Sequence, residues 1–483
     1  MVPVNLHRDL RLSHILPAAI VAGCPLLVWL VLDYLGAPTL ALVGAMALIV
    51  AIYVGLWHPL WLYWGLAVVL AIIPFGYVPG VHLPLYLPFE FGVVLAAILY
   101  RRPEAPLHRL EIAVITLVVV SGIALVATGV SLASLSLYVR WAIVTLVAVA
   151  LLRLSKEDLE RFGRIFVWLS AANAIWGMLL VTVDRNQKSF AILKPFGYDI
   201  SRLEDSVRPG LGNTFNTYVI TTTGEKSLRL GGTWVGANGA GIAFSVALVM
   251  CLILFSGWTR SCMAIIFSVA ILLTLSRQSI FTIFVGFTLV LIFHTMPARS
   301  AWQAWGSFAL LIVGALSVPF IRERILVSFG SSDISGVART ASLGDFPGLM
   351  SGHWLFGLGW ARPEFLSGAA SFEMNLISNA PLLQIYRGGV FTFLAFMAVI
   401  LIACVLGYRA LRSDSLPFAV YGGVFIAFCI VALNLDHGVT DVPQTTLCFS
   451  VFLAFLLYVD RSRRSASDPT AADTREMPAA VAP

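Results

Sequence analysis

Three arginines stand where a fixed positive charge can do chemistry: Arg229 in SLRLGGTWVGANGAG, Arg277 in LTLSRQSIF and Arg339 in SGVARTASLGDF. A guanidinium is planar, stays ionised and offers several donors in one plane, so it suits phosphate oxygens better than a point charge does. Brought together, three would hold a diphosphate and neutralise it as it leaves. Arg277 is the most telling, because it lies in the turn between two short apolar segments. Against lipid that charge is costly, whereas facing a polar cavity or an anion it is stable. The plainer reading is that each arginine snorkels to the interface or pairs with a carboxylate such as Asp333, Asp345 or Glu364.

Other polar residues gather nearby in sequence. His437 lies in NLDHGVTD beside Asp436 and Asp441, an arrangement that stabilises an imidazole as a base or simply caps a helix end. His353 stands beside Trp354 in SGHWLFGLGW, which reads first as a turn. Asp33 is an acid near the end of the first apolar span, a functional candidate by default. The small-residue run Gly231–Gly241, which contains Asn238, allows close helix packing or close approach of a ligand to backbone. No strand precedes it, so a dinucleotide reading fails, and no GxxxxGK[ST] points to an ATPase.

The elements that must position these residues are membrane spans. The 483-residue chain is 59% hydrophobic and 12% charged with a mean hydropathy of +0.90, against about 25% charged in soluble domains. This predicts an all-α polytopic membrane protein, one integral domain over residues 1–460 with a polar, disordered cytoplasmic tail over 461–483. Runs of the required length, roughly 17–25 apolar residues, give about 12–14 spans. They start with Ile15–Leu35, a retained signal-anchor, and Thr39–Leu56, and end with Trp302–Phe320, Gly388–Gly407, Leu416–Leu435 and Val442–Val459. Cys262–Leu275 and Ile280–Phe293 are short and read as a re-entrant pair or a tight hairpin.

Lys and Arg in the short connections place both termini in the cytoplasm, with Arg8, Arg11, Arg101, Arg102, Arg109, Arg153, Lys156, Arg260, Arg409 and Arg461 inside. Two long extracytoplasmic loops follow, 184–232 and 321–387, and all three arginines then face outward. The first loop carries Thr and Tyr runs that predict extended strands turning at Gly224. In the second, the longest polar stretch of the chain, Asp345–Met350 and Ala380–Tyr386 read as short interfacial helices. The six cysteines lie in or beside spans, which predicts neither a disulfide framework nor a thiolate metal site. The formal charge of +6 follows from the loop bias and requires no nucleic acid.

With this layout the chain resembles the O-antigen ligase and O-antigen polymerase superfamily of bacterial envelope enzymes. RLGGTWVGANGAG is similar to the family's Arg followed by a small-residue helix start, and LTLSRQS resembles its hydrophobic-Thr-x-Ser-Arg turn. The stretch Arg339–Trp360 with FGLGW resembles its Arg and Gly-x-Gly run, and Ser378–Thr392 its His-Asn-x9-Gly signature. Asn379, Gly389 and Thr392 fit that signature, while Ser378 stands at the family's histidine and cannot act as a base by itself.

The resemblance implies metal-independent glycan transfer at the outer face of the bacterial plasma membrane, without cofactor. The donor would be a polyprenyl-diphosphate-linked saccharide and the acceptor a glycan or glycolipid hydroxyl. Arg229, Arg277 and Arg339 would clamp the diphosphate, and Asn379, Gln384 and Asn238 would orient substrate hydroxyls. Trp354, Trp360 and Tyr386 would form a stacking floor, or alternatively pack the core. Asp345, Glu373, His353 and His437 are the base candidates. Two other readings stand beside this one: a transporter or flippase of a lipid-linked glycan, and a polyprenyl-phosphate-sugar transferase using Asp33 as base. Charge concentrated in loops rather than at mid-span argues against the first. The very short loop after Asp33 argues against the second.

Overall fold

The structure is a computed structural model that describes residues 49–78, 83–100, 107–184, 188–198, 218–220, 226–234, 236–297, 343–362, 377, 379–435 and 438–467, with isolated positions between 302 and 322. Asp33, Arg339, Glu373, Ser378 and His437 lie outside the described residues, as do Ile15–Leu35 and most of Trp302–Phe320.

The described chain is built from apolar helices. They are α1 (Ile49–Trp57), α2 (Pro59–Ile72), α3 (Tyr86–Leu99), α4 (Arg109–Thr128), α5 (Leu132–Leu152), α6 (Lys156–Thr182), α7 (Ala237–Leu254), α8 (Gly257–Thr274) and α9 (Arg277–Phe293). After these come a short helix α10 over 343–349, α11 (Ala380–Leu411), α12 (Leu416–Leu435), α13 (Gly438–Asp441) and α14 (Pro443–Ser467). Among the described residues eight helices are long and apolar enough to cross a membrane, or nine if α1 and α2, bent by 115° at His58, form one broken span. The protein is therefore a multi-pass helical membrane protein, and helices with internally satisfied backbone are what a bilayer demands.

Several elements match the sequence reading. The Leu416–Leu435 span occupies those residues. The extended run in the first loop pairs as an antiparallel ladder, β1 (Tyr218–Ile220) with β2 (Lys226–Leu228), in the register Val219 opposite Ser227. A strand therefore does precede Gly231–Gly241, contrary to the sequence reading, as part of a two-stranded antiparallel ribbon and not of a parallel βαβ unit. Both short helices expected in the second loop are present, as α10 and as the first turns of α11. Others differ. The short pair is longer than its apolar runs: α8 has 18 residues and α9 has 17, because polar Gly257–Ser261 and Arg277–Ser279 are wound into the helices. The tail expected to be disordered after Asp460 stays helical to Ser467, because Arg463 and Arg464 reach back one turn to the Asp460 carboxylate.

α14 lies at the centre, with 89% of its apolar window buried, and packs on α5, α7, α11 and α12. Phe425 and Phe428 of α12 interlock with Phe449 and Phe452 of α14, the closest pair edge-to-face at 4.9 Å between centroids. Close crossings are made at glycine, as small residues permit in a membrane: a side chain at Gly286 of α9 would strike the Val424 backbone of α12.

Polar groups collect at the two ends of this bundle. One end, here the basic end, holds His108, Glu111, Arg153, Glu160, Asp460 and Arg461. The Glu111 carboxylate meets Arg153 Nε at 2.7 Å, and the Tyr458 hydroxyl donates to Glu160 at 2.7 Å. The other, the loop end, holds the α8–α9 turn, the start of α7 and the start of α11.

Candidate functional site

The loop end is assembled from two structures that sequence alone does not join. The first is the turn between α8 and α9. It consists of Leu275 in the left-handed region (φ 50°) and Ser276, after which Arg277 is the first residue of α9. A non-glycine residue with positive φ needs support. The support is Arg229, only 3% exposed, whose Nε donates to the Thr274 carbonyl at 2.9 Å and whose Nη2 donates to the Leu275 carbonyl at 3.4 Å. These carbonyls end α8 and have no helical partner of their own. The same Nη2 donates to Asn238 Oδ1 at 2.9 Å, and Leu230 N–H donates to Leu273 O at 3.0 Å. Arg229 and Asn238 thus hold the turn, and Arg277 is what the turn presents, partly exposed.

The glycine-rich run serves this packing. Gly232 (φ 55°) sits against Asn173 of α6, whose Nδ2 donates to Ala71 O at 2.8 Å and to Thr233 Oγ1 at 2.7 Å. Gly241 of α7 leaves room for the Ser276 and Ser279 side chains, and Gly239 for Trp234 and Thr445. Of the two roles open to these glycines, close helix packing is the one they fill.

Arg277 stands at the N-terminus of α9, where no side chain caps the helix. That terminus carries partial positive charge, which together with the guanidinium makes the turn attractive to an anion. The buried polar face of α9 continues inward with Gln278 and Thr282, 4% and 1% exposed; Gln278 Nε2 and Thr282 Oγ1 have no partner among the described residues.

The second structure is the crossing of the FGLGW segment over a break in α11. Asn379 caps α11, its Oδ1 accepting from Leu382 N–H at 2.9 Å, and Pro381 follows within the first turn. The helix breaks at Gly389 (φ 70°, ψ −168°). Any side chain there would collide with the Leu355 carbonyl and the Phe356 amide. Leu358 N–H donates to the freed Tyr386 carbonyl at 2.7 Å, Val390 N–H donates to Trp354 O at 2.8 Å, and Thr392 Oγ1 donates to Gly388 O at 2.9 Å. Gly359 (φ 96°) lies against Thr128 at the end of α4. The crossing carries Trp360 into the bundle, where it packs on Tyr138 and Trp141 of α5 at 5.7 and 5.2 Å.

Arg387 then lies over Trp360, 4.7 Å from ring centre to guanidinium carbon, and forms an ion pair with Asp441 of α13. Arg387 is 5% exposed, a buried charge stabilised by a carboxylate on one side and a ring face on the other. Sequence reading passed over it. The signal available was an arginine just before an apolar span, with the acid Asp441 beyond the next one. Gln384, one turn earlier, is 1% exposed and neither amide atom has a partner among the described residues.

α13 links the two structures: Asp441 pairs with Arg387, and Thr445, one turn on, donates to the Gly438 and Val442 carbonyls and lies beside Gly239 of α7. Of the remaining candidates, Asp345, His353 and Trp354 are exposed on the second-loop segment, Trp354 at 43%. Trp360 and Tyr386 are buried, at 4% and 2%, so Trp354 is the open aromatic face among the three. No protein-family description and no curated protein matches this sequence.

Proposed function

We propose that the protein is a metal-independent glycosyltransferase that moves a saccharide from a polyprenyl diphosphate to a hydroxyl of a glycan or glycolipid, acting at the extracytoplasmic face of a bacterial plasma membrane. Its 12–14 spans, cytoplasmic termini and loops 184–232 and 321–387 are those of the sequence reading. The resemblance to O-antigen ligases and polymerases supplies the reaction class. The observation that carries the reading is the α8–α9 turn: one arginine, buried and bonded to backbone, holds a strained turn that sets a second arginine on an uncapped helix N-terminus. Cation and helix end together favour a di-anionic leaving group.

In this reading Arg277 and Arg339 neutralise the leaving diphosphate, and Arg229 and Asn238 fix the turn. The donors around Gln384 meet sugar hydroxyls. The acceptor hydroxyl oxygen forms the new bond to the anomeric carbon as the carbon–oxygen bond to the diphosphate breaks, the electron pair leaves with the phosphate, and the acceptor's proton passes to one of the base candidates, Asp345, His353, Glu373 or His437. The test is transfer from a polyprenyl-diphosphate saccharide in proteoliposomes. Arg277→Ala is expected to abolish transfer while protein level and thermal transition stay at wild-type values; wild-type transfer by that variant overturns the reading. In a deletion strain, single repeats left on the acceptor indicate a polymerase, and full-length lipid-linked glycan indicates a ligase.

A further inference from the structure

Between α6 and α8 the outer wall of the bundle carries a groove of about 360 Å³, lined by Trp168, Ala171 and Ile175 on one side and Trp258, Cys262 and Ile266 on the other. α8 is the least enclosed of the spanning helices, with 28% of its apolar window buried. Trp168 and Trp258 stand open at 54% and 82% exposure. Such a lining offers a hydrocarbon chain contact and offers a polar solute almost no anchor.

The stripe of α6 that forms the groove turns charged as it approaches the basic end. Residues three, four and seven apart share a helix face, and Arg164 and Arg161 precede Trp168 at four and seven positions. Both are exposed. At 1.5 Å per residue they lie roughly 6–11 Å along the axis from Trp168. Glu160 approaches Arg164 at 3.8 Å, but its other oxygen accepts from Tyr458, and Arg164 remains 55% exposed. A hydrocarbon groove that ends at two exposed guanidinium groups has the outline of an acidic phospholipid.

We infer that this groove binds an anionic glycerophospholipid of the leaflet at the basic end, with an acyl chain between α6 and α8 and its phosphate on Arg161 and Arg164. The polyprenyl donor is a different ligand, since its diphosphate belongs with Arg277 at the opposite end of α8. Occupancy completes the packing of α8, the helix whose far end is the turn that presents Arg277.

The experiment is native mass spectrometry of the full chain in detergent with an equimolar mixture of phosphatidylglycerol and phosphatidylcholine. Wild type is expected to retain phosphatidylglycerol roughly fivefold or more over phosphatidylcholine, from the usual contribution of a basic residue at an anionic lipid surface. The double variant Arg161→Gln/Arg164→Gln, confined to exposed positions, is expected to lose that preference. Ala172→Trp, which fills the groove without changing charge, is expected to lose retained lipid of both kinds. Equal retention of the two lipids by wild type, or an unchanged preference in the double variant, overturns the inference.

Discussion

At the basic end of the bundle Glu111 is tied to Arg153 and to the His108 backbone, Asp460 to Arg463 and Arg464, and Arg461 to the last carbonyl of α5. At the loop end Gln384, Gln278, Thr282 and the Trp360 indole are buried with polar atoms that have no partner among the described residues, Leu275 adopts a positive φ, α11 breaks at Gly389, and Arg277 stands at a positive helix terminus. An unpartnered buried amide costs about 1–3 kcal/mol. At the basic end Glu111 Oε1 and Asp460 Oδ2 make no hydrogen bond but are met by the Arg153 and Arg464 guanidinium groups, and His294 Nδ1 and Arg463 Nε are open among the described residues, whereas at the loop end both amide atoms of Gln384 and the Gln278 amide are open. The basic end is closed by ion pairs, and under the proposed function the open polar atoms of the loop end are where substrate would bind.

This contrast breaks first at Glu111. Glu111→Ala leaves the Arg153 charge half of a buried pair and removes the α4 capping contact, for a cost of about 3 kcal/mol. Thermal unfolding in detergent is expected to show a large drop, while the transfer rate per folded molecule stays at the wild-type level. A matching loss of transfer rate would mean that the two ends are not separable.

At the loop end Gly389→Ala is expected to cost about 1–3 kcal/mol for the forced φ alone, and the displacement of the Leu355–Phe356 backbone adds to it. Because that backbone carries Trp360 and its stack on Arg387, transfer should fall further than stability predicts. Wild-type transfer in a destabilised Gly389→Ala protein would detach the crossing from the site.

How far the sequence reached is visible in these same residues. Spans are legible because lipid selects apolar composition directly, and Leu416–Leu435 needed nothing else. Asn379, Gly389 and Thr392 were singled out only by resemblance to a motif, which carried none of their physical content. Asn379 is a helix cap, Gly389 is the break over which the second-loop segment crosses, and Thr392 satisfies a carbonyl near that break. The role of Arg229 was hidden because its partners, the Thr274 and Leu275 carbonyls, are backbone atoms some 45 residues away, and composition does not record them. The Arg387–Asp441 pair was hidden for the same reason, spanning 54 positions.

A smaller effect with the opposite sign tests the loop end alone. Gln384→Leu replaces an unpartnered buried amide with an apolar group of similar size, so the fold should be unchanged or more stable by about 1 kcal/mol. If Gln384 serves a sugar hydroxyl, transfer should drop roughly tenfold, the value of one lost hydrogen bond. A variant that is both more stable and fully active would reduce Gln384 to a packing residue.

The smallest effect belongs to the basic end. His108 caps α4, its Nδ1 accepting from Leu110 N–H at 3.2 Å, which requires the neutral ring. Burial holds the imidazole below its ordinary value, the Arg461 guanidinium acts in the same direction, and Glu111 opposes both. A histidine whose folded pKa lies below its unfolded value binds its proton more readily when unfolded. Stability is therefore full above the unfolded value of about 6.5 and declines as pH falls below it. His108→Asn keeps an N-cap acceptor and removes the titration. The wild-type thermal transition should fall further between pH 7.5 and 5.5 than that of the variant, and equal slopes would show that the cap does not titrate in this window.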